Sequence, residues 1–207
     1  MTRIDYLRQV TSQIEGYQDG TVFTASDFAE IADPKTIFMS LSRLSEKGKI
    51  TKVMRGVYMK PKYSSLTHKN VPPIAENIAQ AIARNYGWTI TPSGSTALNL
   101  LGLSAQIPAS WVYISSGPYK KYELDSAVII FKHTDKSTEL TNVSGKTAIL
   151  IQAIKAMGKE RMNPAAIDTL SSNLTADEKK TALKEAQYCT AWIYEYIKQI
   201  CKGTPHA

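Results

Sequence analysis

Proline is accommodated in an α-helix at its first turn, so the dipeptide Asp33-Pro34 marks where one helix of this chain begins. Asp33 stands at the N-cap and Pro34 at the first helical position. From there Ile37, Leu41 and Leu44 recur at steps of four and three, forming one apolar stripe with Phe38 at its edge. Thr36, Ser40, Arg43 and Lys47 follow a four-three-four rule and fall together a quarter-turn or more away. One helix is therefore expected to bury one side and to present hydroxyls and cations on another, with Lys35 in its first turn. Gly48 ends it.

The residues beyond Gly48 restrict the fold further. Ile50 to Lys60, ITKVMRGVYMK, reads as two short strands around Arg55-Gly56, a two-residue loop whose glycine tolerates positive φ. The alternation of apolar and polar residues is imperfect there, so the register does not follow from the sequence. Upstream, Ile4, Leu7, Val10 (or Thr11) and Ile14 predict an amphipathic helix over about 3–16. Val22 and Phe23 predict a short strand, and Thr24 or Ser26 can cap a second helix with Asp27 in its first turn. Helix, strand, helix, helix, basic hairpin is the order of a winged helix-turn-helix, and it accounts for residues 1–62.

Charge is concentrated in the same place. The 20 residues from Arg43 to Lys62 hold seven cations against Glu46 alone. The full chain carries a net charge of +7, and its basicity by itself points only weakly to an anionic partner. Placed on a helix and a hairpin, the cations have a use. The polar side of the helix, Thr36, Ser40, Arg43 and Lys47, could read base edges in a major groove, whereas Lys49, Lys52, Arg55 and Lys60 would neutralise phosphates. Double-stranded DNA is the expected partner.

Residues 60–73, KPKYSSLTHKNVPP, are rich in Pro, Lys and Ser and lack periodicity, so they read as a linker, bounded at 63–72, or a strand-like crossing between domains. The remainder, 73–207, reads as a small mixed α+β domain ending in helices, so the chain as a whole is expected to be α+β. Ile74, Ile78, Ala81 and Ile82 open it with a helix that Gly87 stops. Short strands are expected in WTITPSG (88–94), where the strand runs into a turn, in WVYISSG (111–117) and in LDSAVIIFKHT (124–134), and PYKKYEL (118–124) between them reads as another strand or a hairpin arm. Helices are expected from 147, from Asn163-Pro164, and from Thr175 to Cys201, where Thr175 and Glu178 fit a capping box.

Several chemistries are excluded or disfavoured by spacing. The segment VSGKTA at 143–148 has Leu140 where a phosphate-cradling loop needs glycine, and reads as a helix start. TPSGSTALNLL at 91–101 offers a turn, Ser93, Gly94, Ser95 and Thr96, that could hold a ligand or effector. A nucleotidyltransferase would need a carboxylate pair soon afterwards, yet residues 95–122 contain no acid. The simpler role is a tight turn at Gly94 with Ser95 or Thr96 capping the next helix. His68, His133 and His206 are scattered, without metal spacing or a nucleophile partner, so neither a cofactor, a metal nor an enzymatic activity is expected. Cys189 and Cys201 are 12 residues apart. On one unbroken helix that is roughly 18 Å, too far for a disulfide. No run approaches the about 18 apolar residues of a membrane span, and the first residues lack a secretory pattern, so the expected location is the cytoplasm.

The combination of SLSRLSEKGKITKVMRGVYMKPK with TPSGSTALNLLGLSAQIPASWVYISSG resembles bacterial AbiEi-type antitoxins, two-domain proteins with an N-terminal winged helix. The resemblance spans residues 1 to about 135. It implies a type IV toxin–antitoxin system linked to phage defence, in which the antitoxin represses its own operon through inverted repeats in the promoter. It also implies that the antitoxin counters a nucleotidyltransferase-like toxin without forming a stable complex. By position, Lys35, Thr36, Ser40 and Arg43 fall on the recognition helix, and Lys49, Lys52 and Arg55 on the wing. The alternative is a winged-helix transcriptional regulator whose C-terminal domain senses a small molecule.

Overall fold

The structure, a computed structural model, describes residues 5–125, 127–135 and 142–202. Ile4 and His206 lie outside the described residues. The protein is mixed α+β and resolves into two units. The first runs to Trp88 and includes Leu124 and Asp125, and the second comprises Thr89–Glu123 and the chain from Ala127 onward.

In the first unit, helix α1 (Tyr6–Glu15) leads into strand β1 (Val22–Thr24), a single 3-10 turn (Ala25–Phe28), helix α2 (Pro34–Glu46) and strands β2 (Thr51–Met54) and β3 (Val57–Met59). The helix expected at Thr24–Ser26 is thus shortened to one turn. Thr24 and Asp27 form a reciprocal capping box across it, and the chain leaves helical geometry before Asp33-Pro34 restarts it. The sheet has the order β1-β3-β2, both pairings antiparallel. Val10, Ile14, Phe23, Phe28, Ile37, Leu41, Leu44 and Tyr58 form one core. Phe23 meets Phe28 edge to face at 5.6 Å and stacks on Tyr58 at 6.5 Å.

The stretch expected to be a linker folds. Strands β4 (Tyr63–Ser64) and β5 (Lys69–Asn70) pair antiparallel, with the return made by His68 at φ 51. Helix α3 (Ala75–Tyr86), expected to open the second domain, belongs to the first unit and packs on β1, β3 and the 3-10 turn. Ala75, Ala79, Ala81 and Ala83 are buried with Ile78 and Ile82, and small side chains let the helix lie close. Arg84 donates to Asp27 Oδ1 and to the Val22 carbonyl, both at 3.2 Å. The division therefore falls at Trp88/Thr89, not across 63–72.

The second unit holds a four-stranded sheet, β6 (Ile90–Pro92), β7 (Ser110–Ser115), β8 (Lys120–Glu123) and β9 (Val128–His133), in the order β6-β7-β9-β8. β7 and β9 run parallel, and the outer pairings are antiparallel. Tyr113 and Phe131, fully buried, bring their rings to 5.9 Å. A short helix α4 (Ser95–Leu100) follows β6, and α5 (Gly145–Met157), α6 (Pro164–Ser172), α7 (Ala176–Glu185) and α8 (Ala191–Lys202) complete the unit around Leu150, Ile154, Leu170, Ile193, Ile197 and Ile200.

The helix expected from Thr175 to Cys201 is broken. A 3-10 turn (Ala186–Tyr188) ends α7, Cys189 is extended, and the Thr190 carbonyl accepts from Ile193 and Tyr194 to start α8. The break lets α7 and α8 pack on each other. It also removes the premise that one straight helix separates Cys189 from Cys201. The two are not joined in a disulfide, and burial pushes the Cys201 thiol up.

Candidate nucleic-acid interface

The N-terminus of α2 is built as its sequence dictates. Asp33 Oδ1 accepts from the amides of Lys35 (3.0 Å) and Thr36 (3.1 Å), and Oδ2 accepts from the Thr36 hydroxyl at 2.6 Å. The Thr36 hydroxyl and then its amide hold the Asp33 carboxyl below the usual carboxylate range. Ile37, Leu41 and Leu44 are buried as expected.

Two residues expected to read bases are otherwise engaged. Ser40 is only 6% exposed, and its hydroxyl donates to the Thr36 carbonyl at 3.0 Å. Around a helix of 3.6 residues per turn it stands about 40° from Leu44, so it borders the apolar stripe, on a helix whose packing partner is α1. Thr36 serves the cap. The face that α2 exposes is instead Lys35, Phe38, Met39, Arg43, Glu46 and Lys47. Phe38 was legible only as the edge of the stripe. Met39 stands about 160° around the helix from Ile37 and Leu41, on the side of Arg43, so its exposure follows from the same spacing that marks the stripe. A groove of about 790 Å³ runs between Tyr6 and Leu7 of α1 and Met39 and Arg43 of α2.

The hairpin closes over Arg55-Gly56, with Gly56 at φ 80, as the sequence predicts. Its register is Thr51↔Met59, Lys52↔Tyr58 and Met54↔Val57. The shift between Lys52 and Met54 leaves Val53 as an extra residue, which is why the alternation looked imperfect. β3 lies between β1 and β2 and is buried throughout, whereas Thr51 and Lys52 of the edge strand β2 are exposed.

Lys35, Arg43, Lys47, Lys49, Lys52 and Arg55 are all exposed. None of them forms an ion pair among the described residues. Lys60, expected among the phosphate contacts, is different. Its Nζ donates to the carbonyls of Glu15 (3.0 Å) and Tyr17 (2.8 Å) and pairs with Asp19 at 3.2 Å, so it closes the C-terminal end of α1.

In the second unit the Gly94 turn is not the open cradle that its sequence suggests. Ser93 and Thr96 are buried, and the Thr96 hydroxyl accepts from the Val112 amide at 2.7 Å, tying α4 to β7. Gly94 itself is the N-cap, at φ 58, and no side chain caps α4, so neither Ser95 nor Thr96 does what was expected. VSGKTA is a helix start. Ser144 caps α5, and its amide and hydroxyl donate to Glu185 Oε2 at 2.9 and 2.8 Å. Burial is the largest single influence on Glu185 and works against ionisation, yet the hydrogen bonds from Thr147 and Ser144 together hold its carboxyl below the usual range. His133 ends β9 on the surface, bonded to the Gly117 carbonyl (2.9 Å) and to Asp135 (2.7 Å). The Gly117 carbonyl, then Asp135, push its pKa up.

Among the described residues no cluster of three or more His, Cys, Asp or Glu could hold a metal ion. Nor is any helix there long and apolar enough to cross a membrane.

Fold and surface together define a mixed α+β protein whose first unit carries a cationic helix and hairpin. Residues 9–183 match the model of DUF6088, a family of unknown function, and the chain belongs to that family. No curated protein matches it. Among solved structures it is similar to the RV2827C protein from Mycobacterium tuberculosis, known from a crystal structure. That similarity has 13% sequence identity and a TM-score of 0.41, and covers 97% of this chain and 78% of the other.

Proposed function

We propose that the protein is a DNA-binding regulator whose first unit works as a winged helix-turn-helix. α2 lies in the major groove, and the β2–β3 hairpin lies beside it over the backbone or minor groove. One observation carries this reading: six cations on α2, on the residues after it and on the hairpin are exposed and have no acidic partner among the described residues. A solvated surface patterned for stability alone would intersperse acids, and here only Glu46 does so.

The division of labour follows from position. Arg43 can fork onto the O6 and N7 of a guanine, and Lys35 approaches the same groove. Lys47, Lys49, Lys52 and Arg55 meet phosphates and release counterions, which supplies affinity without sequence information. Four such contacts give a slope of log K against log salt of about −3.6.

The resemblance to AbiEi-type antitoxins extends the proposal. The protein acts in the cytoplasm, represses its own operon through inverted repeats, and counters a nucleotidyltransferase-like toxin as a non-enzymatic antitoxin. The second unit carries that neutralising activity. A gel-shift titration on the DNA upstream of its gene, repeated at salt concentrations from about 50 to about 200 mM, tests the binding. Unchanged affinity in the double variant Arg43→Ala, Arg55→Ala rejects it. Co-expression with the product of the neighbouring gene tests the antitoxin role, rescue of growth being the expected outcome.

A further inference from the structure

Phe38 and Met39 are 48% and 47% exposed, on a helix whose other apolar residues are inside. Neither belongs to the core that α2 helps to build. Single exposed apolar residues are common on any protein. Solubility does not account for this pair, because Met39 stands between Lys35 and Arg43, about 40° around the helix from each, and Phe38 borders Lys35 at about 60°. The flanking charge selects a polyanion as what covers them, and the floor of a DNA major groove has one apolar group, the C5-methyl of thymine. Phenylalanine fits such a methyl through its ring, and methionine through a flexible, polarizable chain.

We propose that Phe38 and Met39 select the binding site by packing on thymine methyl groups, next to the base pair that Arg43 reads. The inference rests on the DNA-binding reading above and gives that site its base preference. Residues 39 and 43 lie on one side of the helix, four residues or roughly 6 Å apart along its axis. That spans about two base steps of 3.4 Å, so the thymine contacted by Met39 lies within two positions of the guanine contacted by Arg43. Phe38 points about 100° away from Met39 around the helix and reaches a different base pair. Glu46, the one acid on this face, lies about two turns further along the helix from Met39 and Phe38, away from the methyl contacts.

The test uses the full chain and duplexes selected by it from a randomised library, with each selected thymine replaced in turn by deoxyuridine. That change deletes the methyl and leaves every hydrogen-bonding group in place. The expected result is an affinity loss of about fourfold at each contacted thymine, from the transfer free energy of one buried carbon. The loss disappears in Met39→Ala for one position and in Phe38→Ala for another. Both side chains are exposed, and circular dichroism and melting verify that the variants fold. Duplexes bound equally well with uracil as with thymine overturn the inference while leaving DNA binding intact. Failure to enrich any duplex overturns DNA binding and the inference together. Sedimentation of both variants without DNA supplies the remaining arm: a wild-type oligomer that dissociates in either variant assigns the two side chains to a contact between copies and overturns the proposal.

Discussion

The hydroxyl of Thr36 donates to the carboxylate of Asp33 over 2.6 Å, and that bond sets the first turn of the helix proposed to enter DNA. Because Asp33 also accepts the amides of Lys35 and Thr36, it satisfies donors that α2 cannot satisfy itself. Asp33→Ala is expected to lower the melting temperature by about 2–4 °C, and Asp33→Asn, an equally good cap, by much less. The sign of the pH effect follows from the direction of the shift. The folded carboxyl titrates below its unfolded value, so its contribution is present above about pH 3.9 and is lost as pH falls through the folded pKa. Acid unfolding of wild type and Asp33→Ala therefore converges at low pH, and parallel curves would refute the cap's role.

Arg43 and Lys52 are both exposed cations, but they stand on different elements and are expected to fail differently. Arg43→Ala should reduce discrimination between the selected site and a scrambled duplex by about 1–3 kcal/mol. Lys52→Ala should weaken all duplexes alike and make the salt slope shallower by about 0.9. Fluorescence anisotropy at several salt concentrations separates the two. Identical behaviour of the two variants would remove the distinction between base and phosphate contacts.

Lys60 belongs to the same cationic run yet is held inward by two carbonyls and Asp19. Its replacement is therefore expected to act on stability. Lys60→Met should lower the melting temperature and leave DNA affinity and salt slope unchanged at temperatures where the variant is folded. A lost unit of salt slope without destabilisation would show that Lys60 reaches a phosphate.

His133 is hydrogen-bonded at both ring nitrogens, to the Gly117 carbonyl and to Asp135, an arrangement that the doubly protonated ring satisfies best. The folded pKa is raised, so the associated stability is fully present below about pH 6.5 and lost as pH rises through the folded value. Proton NMR of the ring should show titration above about 6.5 in the wild type, returning toward that value in Asp135→Asn. Titration of His133 below the ordinary histidine value would contradict the geometry.

The parts of the molecule that were legible in the sequence are those decided within a few residues. Asp33-Pro34, the capping box of Thr175 and Glu178, and the Arg55-Gly56 turn each carry their own chemistry, and the structure has them where the residues put them. What was not legible depends on partners distant in the chain. Ser40 looked like a groove-facing hydroxyl, because nothing local says that α1 packs against α2. Val53 hid the hairpin register, since a bulge is a relation between two strands. Lys60 is indistinguishable from Lys52 until the carbonyls at the end of α1 come round to meet it.

The placement of α3 is the largest such non-local effect, and it can be tested by truncation. Pro72-Pro73 looks like the start of a new domain, yet the helix behind it covers β1 and is fixed to it through Arg84, Asp27 and the Val22 carbonyl. A fragment of residues 1–88 is expected to unfold cooperatively. A fragment of residues 1–72 lacks Ile78 and Ile82, each of which contributes about 1.5–3 kcal/mol when fully buried, and should melt well below it or not fold at all. Arg84→Met in the longer fragment separates the polar anchor from apolar cover, and a drop of about 2–5 °C is expected from losing a partly exposed ion pair and one carbonyl bond. Equal melting of the 1–72 and 1–88 fragments would return α3 to the second unit and restore the boundary that the prolines suggest.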